Sequence, residues 1–527
     1  MHVGDGVAPC SSQGRWRRRA LSSIAAAGVL LGLEGFALAG GPLGANGQQI
    51  TTSQYGIDLF QGPIYAGSRV TAMGGAYVAV AWDVDGMQQN PAAPAVRPFF
   101  SITDFDYWLG FGLTFPGSFK DMDFYNSGSK SPDSTSSVKS FVVATPAAMV
   151  QFGPFGFGVS LELQNYQLGE ISAEGESAHL SLAFNVAHVQ AAYAFQRGAL
   201  VLGLGTRILL MDAGTRAPGQ TRERPMRSYG TGLELGALWK PLGEIFSVGA
   251  AFRTGITTVP SFSDTAVVNS EGDAVFDTDS GQFYLPTQAI LPWDLNVGVA
   301  AEFGVNPQNR PYVSDHSVAQ REELRIQLRI LDHQDARERE IASAQTEQDV
   351  AAINARYDAL LEADQAEIDA AREAAYWRIQ RYLAESPFGH VMVSASALIT
   401  GAADNAVGLE SFLSQQVNRS GQHPVVSLRL GAEMGLVPNF MRLRAGTYLE
   451  PTRFETSSAR PHYTGGFDVR VGRWNVFGLW PDDYQWRLAV GADVARDYFT
   501  LGVTIAGWYP RHHGTVQLPG NPEGVGR

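Results

Sequence analysis

The sequence predicts an all-β fold, a 14-stranded antiparallel transmembrane β-barrel carrying an N-terminal hatch and an inserted helical, coiled-coil-like hairpin. Three observations predict it. Apolar and polar residues alternate from about residue 98 to 509, with one interruption. The connections between the alternating segments sort into short and long by parity. An export leader stands in front of them. A strand tilted across a bilayer needs about ten residues, lipid on one face and lumen on the other, so alternation at that length is the expected signature.

The fourteen segments read 98–109, 137–151, 155–166, 178–195, 198–212, 228–240, 244–254, 287–303, 388–401, 424–436, 440–450, 463–477, 485–495 and 498–508. In the tenth, Val426, Leu428, Leu430, Ala432, Met434 and Leu436 share a face. In the last, Phe499, Leu501, Val503 and Ile505 do so, and in the fifth Leu200, Leu202, Leu204, Ile208 and Leu210. Gly, Ser, Arg, Glu and Asp occupy the opposite faces. A soluble sandwich also alternates, so the connections decide. With strand 1 running outward, the even-numbered turns are short: 152–154, 196–197, 241–243 and 437–439, with 478–484 somewhat longer. The odd-numbered ones are long: 110–136, 167–177, 213–227, 255–286, 402–423 and 451–462, with 496–497 the exception. Short periplasmic turns and long outer loops are the habit of outer-membrane barrels. Trp239, Trp474, Trp486, Trp508 and Tyr509 fall at strand ends on the periplasmic side, and Tyr107 and Trp108 at the outer end of strand 1, where amphipathic rings suit the headgroup layer.

Composition agrees. Hydrophobic residues are 45% of 527, yet the mean hydropathy is -0.08, which argues against a helical bundle in lipid. A net charge of -13 disfavours nucleic acid as a partner. The sole cysteine, Cys10, precedes the leader's apolar run, so a processed chain has no thiol for a disulfide, a metal or catalysis. Residues 1–39 form the leader: Arg15–Arg19 hold four arginines, an apolar run follows to Ala39, and cleavage is expected after Ala39 or Ala45 in transit to the bacterial outer membrane. A retained N-terminal anchor is the alternative, made uncomfortable by Glu34.

The interruption, 304–387, divides the barrel into 98–303 and 388–509. From Val313 to Ser386 it lacks Gly and Pro and is rich in helix formers. Apolar positions recur every three or four residues (Val350, Ile353, Tyr357, Leu360, Ile368, Ala371, Ala375, Ile379, Tyr382), with Asp364 breaking the stripe. Both ends must return to neighbouring strands, so a hairpin bending near Ser343 to Gln348 is expected, on the periplasmic side. It reads either as a solvated spacer or as an arm through which 315–385 recruits a periplasmic protein.

Residues 46–97 do not alternate. The stretch GSRVTAMGGAYVAVAWDVDGMQQNPAAPA, Gly67 to Ala95, carries Gly67, Arg69, Met73, Gly74, Gly75, Ala76, then Asp83 and Asp85, then Asn90, Pro91 and Ala92. This pattern resembles the N-terminal segment of two related outer-membrane families, the FadL-like long-chain fatty-acid transporters and the PorV-type barrels associated with type IX secretion. The resemblance implies that 46–97 is a hatch inside the barrel. It also implies a hydrophobic small-molecule ligand that leaves sideways through a gap in the wall. Pro146 in strand 2 is a candidate wall kink, because Pro cannot donate to the ladder; a structural bulge is the alternative there and at Pro292 in strand 8. The helical insertion, and the tail 510–527 after YFTLGVTIAGWY, depart from the family pattern.

No catalytic constellation stands out, and neither metal nor cofactor is expected. Gly203-Leu204-Gly205 lies in a strand rather than before a helix. His512 and His513 have no ligand partner at useful spacing. His179 and His188 have no nucleophile motif nearby, Asp121, Asp123, Asp482 and Asp483 read as solvated loops, and Glu162, Glu234 and Glu433 read as hydrated lumen groups. The partners expected are outer-membrane lipid, a hydrophobic ligand and a periplasmic protein.

Overall fold

A computed structural model describes residues 43–97, 105–116, 122–128, 142–173, 176–216, 223–240, 245–263, 266–278, 281–304, 315–385, 390–438, 440–455, 457–473 and 485–509. The leader, Trp474, the 241–243 and 478–484 turns, Asp121, Asp482, Asp483 and the 510–527 tail lie outside the described residues.

Fourteen strands form the wall: β1 (Phe105–Pro116), β2 (Val142–Phe152), β3 (Phe155–Ala173), β4 (Glu176–Phe195), β5 (Leu200–Arg216), β6 (Glu223–Trp239), β7 (Phe246–Arg253), β8 (Asp294–Gly304), β9 (His390–Thr400), β10 (Val425–Val437), β11 (Met441–Glu450), β12 (Arg460–Arg473), β13 (Gln485–Ala495) and β14 (Tyr498–Tyr509). Each pairs antiparallel with the next, and β14 returns to β1 with Ala506 opposite Gly110, so the ring closes. The alternation follows from the environment on each side. Leu204, Leu233, Leu428 and Leu430 point outward and are more than half exposed, while Arg207, Glu234, Arg429 and Glu433 point inward and are buried. Water penalises such an outer surface by about 25 cal/mol per Å², and hydrocarbon does not. A closed ladder with an apolar outside is a membrane-spanning barrel.

The strand boundaries differ from the alternation in instructive places. β3 and β4 continue to Ala173 opposite Glu176, where 167–177 read as a loop. β5 and β6 likewise pair out to Thr215 opposite Glu223. The ladder persists where the sequence no longer alternates, so the pattern stops before the pairing does. β8 starts at Asp294 rather than 287, because Gln288–Leu291 leaves the wall for a second sheet. Pro292 therefore lies outside the wall, its carbonyl accepting from Arg207 at 3.3 Å, and makes no kink in β8. β1 starts at Phe105, which puts Tyr107 and Trp108 near its short-turn end. Trp108 faces inward and is buried, with a ring edge on Trp82 at 5.5 Å. Trp486 is likewise buried, whereas Trp239 is exposed at the end of β6.

Among the described residues there are five α-helices: α1 (Ser68–Ala72), α2 (Asp83–Gly86), α3 (Asp315–Ser343), α4 (Glu347–Glu385) and α5 (Leu409–Ser414). α3 and α4 are an antiparallel hairpin inserted between β8 and β9, at the short-turn end. Their bend covers 344–346, and Thr346 caps α4 by exchanging bonds with Asp349 (Asp349 N to Thr346 Oγ1, 3.1 Å; Thr346 N to Asp349 Oδ2, 3.2 Å). Asp364, which interrupts the apolar stripe, is buried in the seam and holds Arg329 at 2.7 Å and His333 at 2.9 Å. Glu323 on α3 does the same with Arg372 on α4 at 2.6 Å. Ile326, Tyr357 and Ile368 supply the apolar part of the seam.

At the base of the hairpin Gly304 already pairs with His390. Replacing 315–385 by a short turn is therefore expected to leave the ring closed. The measurement is heat-modifiable gel mobility: the deleted protein should migrate as a compact band before boiling and a slower one after, and a lost shift would make the hairpin part of the barrel fold.

Candidate functional site

The lumen is filled from both ends. At the short-turn end the wall presents glycines inward, and the backbone of residues 66–97 lies directly on them. A Cβ at Gly156 would come 2.0 Å from the Pro94 carbonyl oxygen, at Gly203 2.1 Å from that of Pro91, at Gly249 2.1 Å from that of Val78, and at Gly446 2.4 Å from the Gly74 nitrogen. The wall thus lacks side chains at the level where another backbone occupies the space. Within this segment Gly74 and Gly75 have φ of +59° and +69°, a turn that glycine adopts without strain. Asn90 reaches both the segment and the wall, donating from Nδ2 to Val78 O (2.8 Å) and Ala237 O (3.0 Å), while its Oδ1 accepts from Ala92 N (3.0 Å).

The charged residues of the segment meet at one place. Arg69 on α1 holds Glu433 of β10 at 2.7 Å and Asp83 at 3.2 Å. Arg487 of β13 holds Asp85 at 2.7 Å, Asp83 at 3.0 Å and Asp468 of β12 at 3.4 Å. Arg444 of β11 joins Glu433 to Asp468 at 2.5 and 2.7 Å. Trp82 covers the group, with the Arg69 guanidinium 4.4 Å from its ring centre. All are buried. Taking one charge from such a network costs roughly 3–5 kcal/mol, because the partner stays behind unpaired. Asp83 has φ +57°, a strained value for a residue with a Cβ, and these ion pairs hold it there. Gly67 is the cap residue before α1, and a Cβ on it would strike Asp85. Met73 packs on Gly431 of β10, and Ala76 is buried. Every residue of the sequence pattern from Gly67 to Ala92 is thus in the lumen.

At the long-loop end a small sheet forms a lid. Gly56–Asp58 runs parallel to Gln288–Leu291 on one side and Ala406–Gly408 on the other. Residues 43–58 therefore belong to the lid rather than to the segment at the short-turn end. Asp58 anchors them through Arg453 and Ser420, each at 2.7 Å. Tyr55, Ile57, Phe283, Phe412 and Val417 form the lid's apolar core.

Between lid and lower segment lies a cavity of about 170 Å³. Phe60, Ile64, Phe184, Val186 and Leu398 give it apolar surface, and Gln88 and Gln89 form part of its lining. Its charged lining is mostly spoken for. Arg253 pairs with Asp294 (2.8 Å) and Glu234 (2.9 Å), Arg207 with Asp294 (3.1 Å), and His188 with Glu234 (2.8 Å). Glu234 and Glu433, read from the sequence as hydrated, are in fact buried and paired; Glu162 lines the cavity 4.0 Å from His188. Arg429 is different. It is buried and lines the cavity, and among the described residues it makes no ion pair; its one hydrogen bond goes to Ser427 Oγ at 3.5 Å.

The wall beside Glu162 is interrupted. β2 and β3 pair at Ala144–Leu163 and again at Ala147–Ser160, without a shift in register, and the two steps between, at Thr145 and Pro146, are unpaired. Pro146 has no N–H to give. The sequence pointed to Pro146 and to the segment, but not to Arg207, Arg253, Asp294, Arg429, Arg444, Asp468 or Arg487. The available signal was charge on the inward face of a membrane strand, which is tolerated only when paired or functional.

No protein-family model and no curated protein matches the chain. Among solved structures it is similar to the CymD monoaromatic hydrocarbon channel (12% identity, 86% of this chain and 99% of that one, TM-score 0.42). It is also similar to a Pseudomonas aeruginosa FadL homologue (10%, 88% and 99%, 0.42) and to a mutant of the TodX monoaromatic hydrocarbon channel (11%, 84% and 98%, 0.42). At these values neither a residue's role nor a ligand passes to this chain.

Two outcomes are expected. Arg487→Met should lower the unfolding free energy in detergent by about 3–5 kcal/mol, measured by urea titration; a loss below about 1 kcal/mol would mean that the charges are solvated. The lid should respond to pH through Glu410 on α5. Burial first, and Asp123 second, push its carboxyl up to about 8, against the Ser127 hydrogen bond. The folded lid therefore keeps the proton that the unfolded chain loses near 4.5. Lid stability is greatest below that pH and falls as pH rises through about 8. Protease nicking within 401–424 should increase over this window, and Glu410→Gln should flatten the increase.

Proposed function

We propose that the chain is an outer-membrane barrel, exported by a cleaved leader, that passes small hydrophobic molecules passively toward the periplasm, with residues 60–97 as its hatch. One observation carries the reading: a cavity with apolar side chains on one side and a buried guanidinium without an ion pair on the other, beside the interrupted pairing of β2 and β3. A cavity of about 150 Å³ holds a benzene ring, so this one has room for a single ring or for the head of a fatty-acid-like amphiphile. A carboxylate on Arg429 would neutralise it, and charged hydrogen bonds of this kind contribute about 1.5–3 kcal/mol. A longer tail extends past the cavity, and the pairing interruption at Thr145 and Pro146 lies beside Glu162 of its lining. Hatch and lid close the axial path, which supports a carrier of selected solutes over an open water pore.

A second reading, a PorV-type secretion or scaffold barrel recruiting a periplasmic partner through 315–385, is favoured by one feature. Leu324, Leu328 and Leu331 recur at four- and three-residue spacing on α3 and are each more than half exposed.

Purified protein in liposomes separates the two. Uptake of a labelled long-chain fatty acid by wild type, with binding weakened roughly tenfold or more by Arg429→Met, is expected. Uptake unchanged in that variant removes Arg429 from the site. No uptake at all, with a specific protein retained through 315–385, moves the assignment to the scaffold.

A further inference from the structure

The helical hairpin and the wall that carries it each present an apolar face with no partner among the described residues. On α3, Leu324, Leu328 and Leu331 are each more than half exposed. They point away from α4, which meets the other flank of α3 at Glu323, Ile326, Arg329 and His333. Their four- and three-residue spacing is that of one coiled-coil seam, which Asp335 ends at the next position. The hairpin is rooted between β8 and β9, where Gly304 pairs with His390. A few residues along the same strands the outer face is hollow. Ala301, Val393, Ala432, Ala445 and Gly465 stand directly across from one another on β8 to β12. A Cβ on Gly465 would meet nothing nearer than 3.7 Å. Leu430 and Tyr463 stand on one side of this row, Phe303 and Met434 on the other, all exposed. A groove of about 680 Å³ lies along this stretch.

We propose that a second copy of this chain fills both faces, the two copies related by a twofold axis along the membrane normal. Copies inserted by one route point the same way across the membrane, so equal depths meet and the same patch closes on itself. Small residues on the outer wall let two backbones approach closely. The hairpins are rooted in those same strands, so the contact that joins the walls also makes the α3 helices neighbours. The flanks of the leucine seam suit this pairing. Gln320, Gln327 and Gln334 line one flank and Arg325, Asp332 and Arg339 the other, all exposed. In a parallel pair each glutamine faces a charged group of the other copy, and its amide can bond either sign. Lipid could fill the groove but would leave the leucines in water. A seam this short does not hold free helices together, but tethering to barrels already in contact raises the effective concentration of one helix at the other. The pairing needs only the barrel in its membrane and neither reading of its function. It occupies the face that a scaffold would offer to a different protein.

The test is disulfide cross-linking of the full chain in liposomes at low protein density, in a Cys10→Ser background that removes the native thiol. Leu328→Cys, at the middle of the seam, is expected to link to its own copy roughly tenfold more than Glu362→Cys, an exposed site on α4. Equal yields, or a monomer throughout, overturn the proposal, whether lipid or a different protein takes the two faces. Ala445→Trp fills the groove and should cut the Leu328→Cys link several-fold, with heat-modifiable mobility showing that the ring still closes. Gly465→Leu, in the same row, replaces it if that mobility is lost. An undiminished link in a closed ring means that the wall takes no part, and the joint interface is wrong.

Discussion

Inside hydrocarbon a backbone amide has no water to bond, so each strand must spend its donors and acceptors on two neighbours. The return of β14 to β1 satisfies that demand for the whole ring. Much else follows from it. A ring of fourteen strands encloses a lumen that is either left to water or filled by other segments of the chain. The chain supplies this from its own early residues: 43–58 at one end and the glycine-seated segment at the other. At Pro146, which has no donor to contribute, the pairing of β2 with β3 is interrupted beside Glu162 of the cavity lining.

The lumen is also where charge is concentrated. Arg69, Arg444 and Arg487 face Asp83, Asp85, Glu433 and Asp468 in one connected group, and Arg207, Arg253 and His188 face Glu162, Glu234 and Asp294 in another. In a water-excluding interior these groups are tolerated because each satisfies the next. Arg429 is the exception: it lines the cavity between the lid and the lower segment and makes no ion pair among the described residues.

The alternation of Leu, Val and Ile with small or polar residues was legible because lipid and lumen impose a period of two, and the parity of connections was legible because the two membrane faces differ. The arm was legible from its missing Gly and Pro, and its bend at 344–346 falls inside the interval read from sequence. Strand ends were less so. At 167–177 the ladder runs on through residues that carry no period, and at 287–293 an alternating run belongs to a different sheet. Arg69, Asp83 and Asp85 could be singled out as a pattern, yet their partners could not: Glu433 lies 364 residues from Arg69, and no local signal links them. Trp108 looked interfacial only because β1 was placed seven residues early.

The seam between β1 and β14 joins residues 105–116 to 498–509, the first and last strands of the ring. Contacts this distant along a chain are slow to form, since nearly all the intervening length must be organised before they do. The residues translated first are thus the ones enclosed, and the ring stays open until the final strand arrives. A nascent chain truncated before residue 498 would have every other strand and still expose two raw edges to any machinery, or any neighbouring chain, able to pair with them.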